Sequence, residues 1–217
     1  MGKLTGGILG PIKGKVGAVV GSVVGGQNVV KSMPASYADK KSDSQLTQRS
    51  TFANTLAWFQ ALSAVANEGF VEKQAKHSSY NAFMSENVGK GIITTTPAWN
   101  SLKVSKGSLS APDISMNTTN LATTLDFAWD DDSDGSNKLA TDKIFAVVIN
   151  PATKEVYMTD GSDTRADAGL TVNLPASMQG VSVQTYAFAK RADGKKSSNS
   201  KRTGMGTAGS DLAGSVQ

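Results

Sequence analysis

The spacing of apolar residues changes twice along the chain, and each change predicts a new kind of element. Valines alternate with glycines and other small residues in VGAVVGSVVGG (16–26), and a second apolar stretch follows in QNVVKSM (27–33). A period of two is typical of β-strands, and Gly25-Gly26 is a turn signal. The pattern predicts a glycine-rich β-hairpin arm over residues 1–34.

The glycines of this arm indicate a close neighbour. A strand with so many glycines has little side chain to pack, so we expect backbone from the hairpin partner and from another subunit to lie against it. The residues expected at that interface are Gly17, Val19, Gly21, Val23 and Gly25.

The same glycines, spaced four apart, also match the GxxxGxxxG pattern of packed membrane helices. A membrane span needs about 20 predominantly apolar residues, however, and this run is roughly half that length. Pro11, Lys13 and Lys15 interrupt any extension toward the N-terminus. We therefore expect neither a membrane span nor a signal peptide.

A helical period replaces the period of two after residue 43. Ser44 is a suitable N-cap, Gly69 a suitable C-cap, and a second helix is expected from Glu72 to Val88, with His77 inside it. The result is an αα-hairpin within residues 35–97. The residues expected on the buried face of the first helix are Leu46, Phe52, Leu56, Phe59, Leu62 and Ala66, with Trp58 and Val65 at its margins.

From about residue 101 onward the period returns to two. Short strands at regular spacing, separated by turn residues, predict a β-sandwich. The expected strands are 101–110, 121–129, 143–150, 154–159, 169–174 and 181–190, with a last one after Lys195-Lys196.

This C-terminal half resembles a fibronectin type III or immunoglobulin-like domain. LDFAW (125–129), KIFAVVIN (143–150) and YAFAKRADGKKSSNSK (186–201) are similar to its B strand, C strand and F–G hairpin. The position of its tyrosine corner falls nearer Val181, whereas Tyr186 lies further along the strand. The fold class expected is therefore α+β, with an arm, an αα-hairpin and an Ig/fibronectin-like β-sandwich over residues 98–217.

A second resemblance covers the whole chain. GPIKGKVGAVVGS (10–22), QNVVKSMP (27–34) and the QLTQRSTFA helix start (45–53) resemble an uncharacterised Bacteroidota family. Lys31-Ser32-Met33-Pro34 replaces the arginine element of that family, and Gly25-Gly26 replaces an aromatic-containing turn. The resemblance implies shared architecture and an occurrence in mobile or phage-like genetic settings, but no activity.

Composition removes several classes of enzyme. The chain of 217 residues contains no cysteine and one histidine, His77. Thiol nucleophiles, disulfides and cysteine-based zinc sites are therefore excluded, and a metal role for the lone imidazole is not favoured. The remaining Ser, Asp and Lys residues show no positioned base, so the sequence predicts no enzyme.

An acidic run follows Trp129. Residues 130–135 (DDDSDG) match the first half of a calcium-binding loop, in which alternate carboxylates converge around the ion. The twelfth position, where a bidentate Glu belongs, is Thr141, with Asp142 beside it. A solvated acidic loop is one reading and a calcium site is the other, with ligands Asp130, Asp132, Asp134 and Asp142.

The formal net charge is +4, and a late segment carries much of the positive charge. Such a segment can contact nucleic-acid phosphates, but this one has no aromatic residue for base stacking. A dedicated nucleic-acid module is not indicated. The residues available for phosphate contacts are Lys190, Arg191, Lys195, Lys196, Lys201 and Arg202.

These patterns together favour a non-enzymatic structural protein that is built for assembly. The preferred hypothesis is a bacteriophage virion component of the capsid, decoration or tail, made in the host cytoplasm, whose arm adds strands to copies of itself or to other virion proteins. The alternatives are a cell-surface or secreted Ig-like adhesion module and a non-specific nucleic-acid-binding protein.

Overall fold

The computed structural model of the protein describes residues 3–4, 12–24, 27–33, 39–73, 77–117 and 123–207. These residues form three α-helices and three antiparallel sheets, so the mixed α+β class is confirmed. The helices are α1 (Asp43–Ala61), α2 (Ser63–Gly69) and α3 (Ser79–Asn87). The chain divides into two compact units, Met1–Asp43 and Ser44–Gln217.

The first unit, called the arm below, contains one sheet. Its strands are β1 (Lys3–Leu4), β2 (Ile12–Val16), β3 (Val19–Val24) and β4 (Gln27–Ser32). They pair in the order β1-β2-β3-β4, and every neighbouring pair is antiparallel. The predicted hairpin corresponds to β3 and β4, and the sheet extends beyond it because Lys13 to Val16 form a strand of their own.

The second unit, called the body, carries the remaining seven strands in two sheets. One sheet has the order β5-β6-β9 and the other the order β11-β10-β7-β8. The strands are β5 (Ser115–Asn117), β6 (Thr124–Ala128), β7 (Lys143–Ile149), β8 (Val156–Met158), β9 (Gly169–Asn173), β10 (Ser182–Lys190) and β11 (Lys201–Thr207).

Strand β7 is buried on both faces. Ile144, Ala146 and Val148 pack in a core with residues of β6, β9 and β10, between the two sheets. Phe145, Val147 and Ile149, on the opposite face, pack in a second core with the helices. The sequence KIFAVVI is therefore a continuous apolar run, as expected for a strand without a solvent-facing side. The helices and the sheets share this second core and so form one unit.

The aromatic rings on the helical face of the sheet pair directly. Phe145 of β7 lies opposite Phe188 of β10, and their rings stack at 5.2 Å with an interplanar angle of 10°. The backbone of Gly161 lies against the Phe145 ring, so a Cβ at this position would come within 2.4 Å of the ring. Tyr186, also on this face, donates its hydroxyl to the carbonyl of Trp99 at 2.5 Å. Tyr186 of β10 thus packs in the second core, which the sheet shares with the helices.

Helix α1 buries a different face from the one predicted. Leu46, Phe52 and Leu56 are 46%, 45% and 36% exposed, whereas Thr51, Thr55 and Trp58 are buried. The threonine hydroxyls are satisfied inside: Thr51 donates to the carbonyl of Ile93, and Thr55 to that of Thr51. The prediction for the first half of the helix was wrong because it ranked positions by side-chain hydrophobicity alone.

The second predicted helix is shorter than expected. Helix α3 begins at Ser79, and the side chain of Ser78 caps it by accepting the N–H of Asn81. His77 therefore precedes the helix and is exposed. Gly69 is the last residue of α2, with Phe70 as the C-cap. No helix among the described residues is long and apolar enough to cross a membrane.

The expected strand at residues 101–110 is absent from the described structure. Its backbone bonds to side chains and to scattered backbone groups and forms no strand ladder: Asn87 bonds both the N–H and the carbonyl of Lys103, Ser200 accepts from Val104, and Leu109 donates its N–H to the carbonyl of Ser197. Leu102 and Val104 point into the helical core. Conversely, β5 was not predicted. The other six predicted strands correspond to β6 to β11.

Candidate assembly interface

The arm sheet has two chemically different faces. Directly paired residues of an antiparallel sheet project to the same side, and successive residues alternate between the two sides. The register pairs Gly14 with Gly21, Val16 with Val19, Gly21 with Val30, and Val23 with Asn28. These pairs define an uncharged face. We call it the valine face, and its members are Gly14, Val16, Val19, Gly21, Val23, Asn28, Val30 and Ser32.

The opposite face carries positive charge. The register places Lys15, Val20 and Lys31 in one row across β2, β3 and β4, followed by the pair Ser22 and Val29. We call this side the lysine face. Val20 and Val29 are half-buried on this face, as Val19 is on the valine face.

Three of the four valines on the valine face are exposed, and Val19 is half-buried. Val16, Val23 and Val30 are 38%, 44% and 53% exposed. Among the described residues of the arm, Gly21 is buried. A sheet needs an apolar face packed against another layer for stability, and the described arm contains no such layer. The described arm sheet therefore lacks the apolar packing that stabilises a sheet of this size.

The predicted interface residues occupy different places in this sheet. Gly17 is in the two-residue turn between β2 and β3, where its φ of +59° strains any residue with a side chain. Val19, Gly21 and Val23 lie on β3, which is paired on both sides, so this strand has no free edge for strand addition. Gly25 lies outside the described residues. Within the described sheet, β4 is an edge strand, and its outer edge is open.

The acidic loop surrounds an arginine of the body. Arg165 is fully buried and binds Asp132 through one terminal nitrogen; the other lies 2.6 Å from the carbonyl of Ser110 and 3.5 Å from Asp142. Asp142 is fully buried and also lies 3.4 Å from Arg191. Lys138 bonds the second oxygen of Asp132 at 2.8 Å. Partial burial tends to raise the pKa of Asp132, but Lys138 and Arg165 outweigh it and hold the pKa below its usual value.

These contacts give no support to the calcium prediction. Asp132 and Asp142 pair with basic side chains, and Asp134 accepts the N–H groups of Ser136 and Lys138. Asp130 is exposed. No group of three or more His, Asp or Glu side chains in the described ranges is placed to hold a metal ion. The loop is closed by its own hydrogen bonds and by Arg165.

Asp134 makes a pH-dependent contribution to this loop. The N–H groups of Lys138 and Ser136, each 2.8 Å from one carboxylate oxygen, lower its pKa from 3.8 to about 2. Because the folded pKa lies below the unfolded one, the stabilisation is present above pH 3.8 and is lost as pH falls through about 2. We expect an NMR titration of the Asp134 side-chain carbon to show a midpoint near 2, returning to about 3.8 in urea. A native midpoint at the usual value would contradict this loop geometry.

Most of the predicted phosphate-binding residues have partners within the body. Lys190 bonds Glu68 at 2.5 Å, and Arg191 contacts Asp142 and the carbonyl of Asn137. Lys201 pairs with Asp113, and Arg202 binds Gln184 and Asn100. Lys195 and Lys196 are exposed near the tip of the β10–β11 hairpin. The structure thus does not gather these six cations around a common ligand position.

A cleft of about 500 Å³ lies beside His77, between α3 and residues 106–108. Its two carboxylates are engaged. Glu72 accepts the N–H groups of Ser108 and Ser197, each at 2.9 Å, and Glu86 pairs with Lys103 and Lys106. Burial tends to raise both pKa values, but these hydrogen bonds and nearby lysine charges outweigh it and lower both. Glu72 and Glu86 therefore bind residues 103–108, and Glu72 also binds Ser197. Both carboxylates are ionised at neutral pH.

The chain is similar to an established protein family over most of its length. Residues 11–204 match a family of unknown function, DUF6266. The chain belongs to this family. The matched region contains β2, β3 and β4 of the arm, the body strands β5 to β10 and the first part of β11, so arm and body are parts of one family unit. No curated protein matches the chain.

Two features of this DUF6266 chain were missed at the sequence level. Arg165 is separated from Asp132 by 33 residues and from Ser110 by 55, and nothing in its local sequence indicates burial. The two faces of the arm were detectable in principle, since GKV (14–16) and VVKS (29–32) alternate small or apolar residues with lysine. Only the register of three strands places those residues in common rows.

Proposed function

We propose that the protein is a non-enzymatic assembly component and that its arm joins it to other subunits. The uncovered valine face carries this proposal. Val16, Val23 and Val30 are exposed on a sheet that lacks a packing layer in its described residues, although the body has two well-packed cores. Exposed apolar surface of this kind marks interaction sites in soluble proteins.

The specific form we propose is a bacteriophage virion protein of the capsid, decoration or tail type, assembled in the cytoplasm of the producing cell. The resemblance to a Bacteroidota family with phage-like settings favours this form, as does the combination of a folded body with a separate arm. The cleft and the acidic loop favour no catalytic role, because the carboxylates at their centres are held in ion pairs or backbone hydrogen bonds.

An Ig-like adhesion module is the second candidate. Two antiparallel sheets with the orders β5-β6-β9 and β8-β7-β10-β11 support it, since Ig-like domains are built from two packed antiparallel sheets. Fractionation of the producing cell separates the two candidates. Recovery with particles supports the virion form, whereas recovery with the cell envelope supports the adhesion module.

The arm is tested by removing residues 1–34. We expect the complete chain to associate in sedimentation velocity, and the truncated chain to be a monomer with the same urea unfolding midpoint for the body. This follows because the body keeps both of its cores without the arm. If the two proteins have the same association state, the arm does not join subunits.

A further inference from the structure

The valine face is suited to a flat apolar partner. Its rows place Val16 beside Val19, and Val30 beside Gly21 and Gly14 across three strands. The glycines leave room above the backbone, while the valines project beside them. Two sheets pack about 10 Å apart when side chains of one fit between side chains of the other. This face therefore offers both the projections and the spaces that such packing needs.

We propose that the valine face packs against the valine face of a second copy, so that two arms form a two-layer β-sandwich. This inference rests on the proposed role of the arm in assembly and identifies the partner. A two-fold axis brings the same patch together from both copies. No member of the valine face is charged, so such pairing buries no charge.

The lysine face excludes the opposite arrangement. Pairing two lysine faces brings Lys15 and Lys31 against the same residues of the other copy, and like charges in contact are destabilising. An anionic partner such as nucleic acid engages these lysines and leaves the exposed valines uncovered on the other side. Strand addition at the β4 edge also leaves the valine face uncovered. Face-to-face pairing of two copies covers the valine face and keeps the lysines of both copies on the outside.

The test uses the complete chain with Val30→Lys, and Val29→Lys is the matched control. Both changes add one lysine to β4, but position 30 lies on the valine face and position 29 on the lysine face. In sedimentation velocity we expect Val30→Lys to raise the dimer Kd by on the order of 100-fold or more, because the two-fold buries two unpaired charges. Val29→Lys is expected to change the Kd by less than about 5-fold.

Cross-linking gives a second measurement that does not depend on the stability of a charged variant. The chain has no cysteine, so a single substitution supplies the only thiol. A bismaleimide with a flexible spacer is expected to link Val30→Cys chains into covalent dimers, since both thiols then lie in the layer between two sheets about 10 Å apart. The Val29→Cys control is expected to remain uncrosslinked, because its thiols lie on the two outer surfaces of the sandwich.

The outcomes separate this inference from the proposed function. If removing residues 1–34 abolishes association but Val30→Lys and Val29→Lys have equal effects, the arm still joins subunits and the face-to-face pairing is wrong. Equal cross-linking at positions 29 and 30 also overturns the pairing. If the complete chain is a monomer at all concentrations, both the pairing and the proposed role of the arm fail.

Discussion

Replacement of Arg165 by methionine is expected to lower the free energy of unfolding by about 3 kcal/mol, because it removes the bonds to Asp132 and Ser110 and one of the two basic partners of the buried Asp142 carboxylate. Arg165 and Asp142 are both fully buried, and Arg165 also binds Asp132 and the carbonyl of Ser110. Arg191 remains 3.4 Å from Asp142 and offers only partial compensation. The loss should be measured by urea unfolding with linear extrapolation.

Two further variants make the Arg165 result specific. Lys138→Met removes the partly exposed partner of Asp132, and we expect it to cost about 1 kcal/mol or less. Adding Asp142→Asn to Arg165→Met removes the buried carboxylate that has lost one of its two basic partners, and should restore part of the loss. An Arg165→Met protein within about 1 kcal/mol of the parent would show that the acidic loop is not held by this arginine.

Trp58→Ala is expected to lower the free energy of unfolding by about 3–5 kcal/mol, since it removes a large side chain from a closed core. Trp58 is 1% exposed, its ring meets that of Trp99 edge-on at 5.5 Å, and its indole N–H donates to the carbonyl of Thr95 at 2.9 Å. A thermal or urea unfolding curve of the complete chain measures the change.

Phe52→Ala is the matched control on the same helix. Phe52 is 45% exposed on the outer side of α1, so its loss should change the free energy of unfolding of the monomeric body by less than about 0.5 kcal/mol. A large loss at Phe52 together with a small loss at Trp58 would restore the sequence-based orientation of the helix and contradict the structure.

Much of the body was predictable because its signals are local. Strands β6 to β10 have apolar runs or alternation separated by turn residues, and each was placed within a few positions. Strand β11 was predicted only as a strand after Lys195-Lys196. The orientation of α1 was not predictable by the same logic. Thr51 and Thr55 point inward because carbonyl acceptors are available to them, and one of those acceptors lies 42 residues away in sequence.

Residues 101–110 show a related limit. The alternation of SLKVSKGSLS fits a strand, but the side chains of Asn87, Ser200 and Glu72 bind its backbone. Gly107 fits tightly there, because a Cβ would come within 2.1 Å of the carbonyl of Ser197. These partners come from three distant parts of the chain, so periodicity within the segment carries no information about them.

The candidate interface was predictable only in part. Valine and glycine alternation in residues 16–26 located the arm and its tendency to meet a neighbour, but it gave no sheet register. Gly17 was assigned to a strand although it forms the turn that reverses the chain. Because of that turn, β2 pairs with β3, and β3 is a central strand. The surface that β3 offers to a partner is therefore a face of the sheet and not a strand edge.

The bond from the N–H of Ser197 to Glu72 joins residues 125 apart in sequence, and the pair of Lys190 with Glu68 spans 122. During synthesis, these contacts between the helices and the sheet can therefore form only after the last hairpin has been made. The arm sheet depends on contacts that are closer in sequence. Across β3 and β4, the paired residues farthest apart in sequence are Val19 and Ser32. Each nascent chain thus holds every residue of its arm sheet long before it holds a complete body.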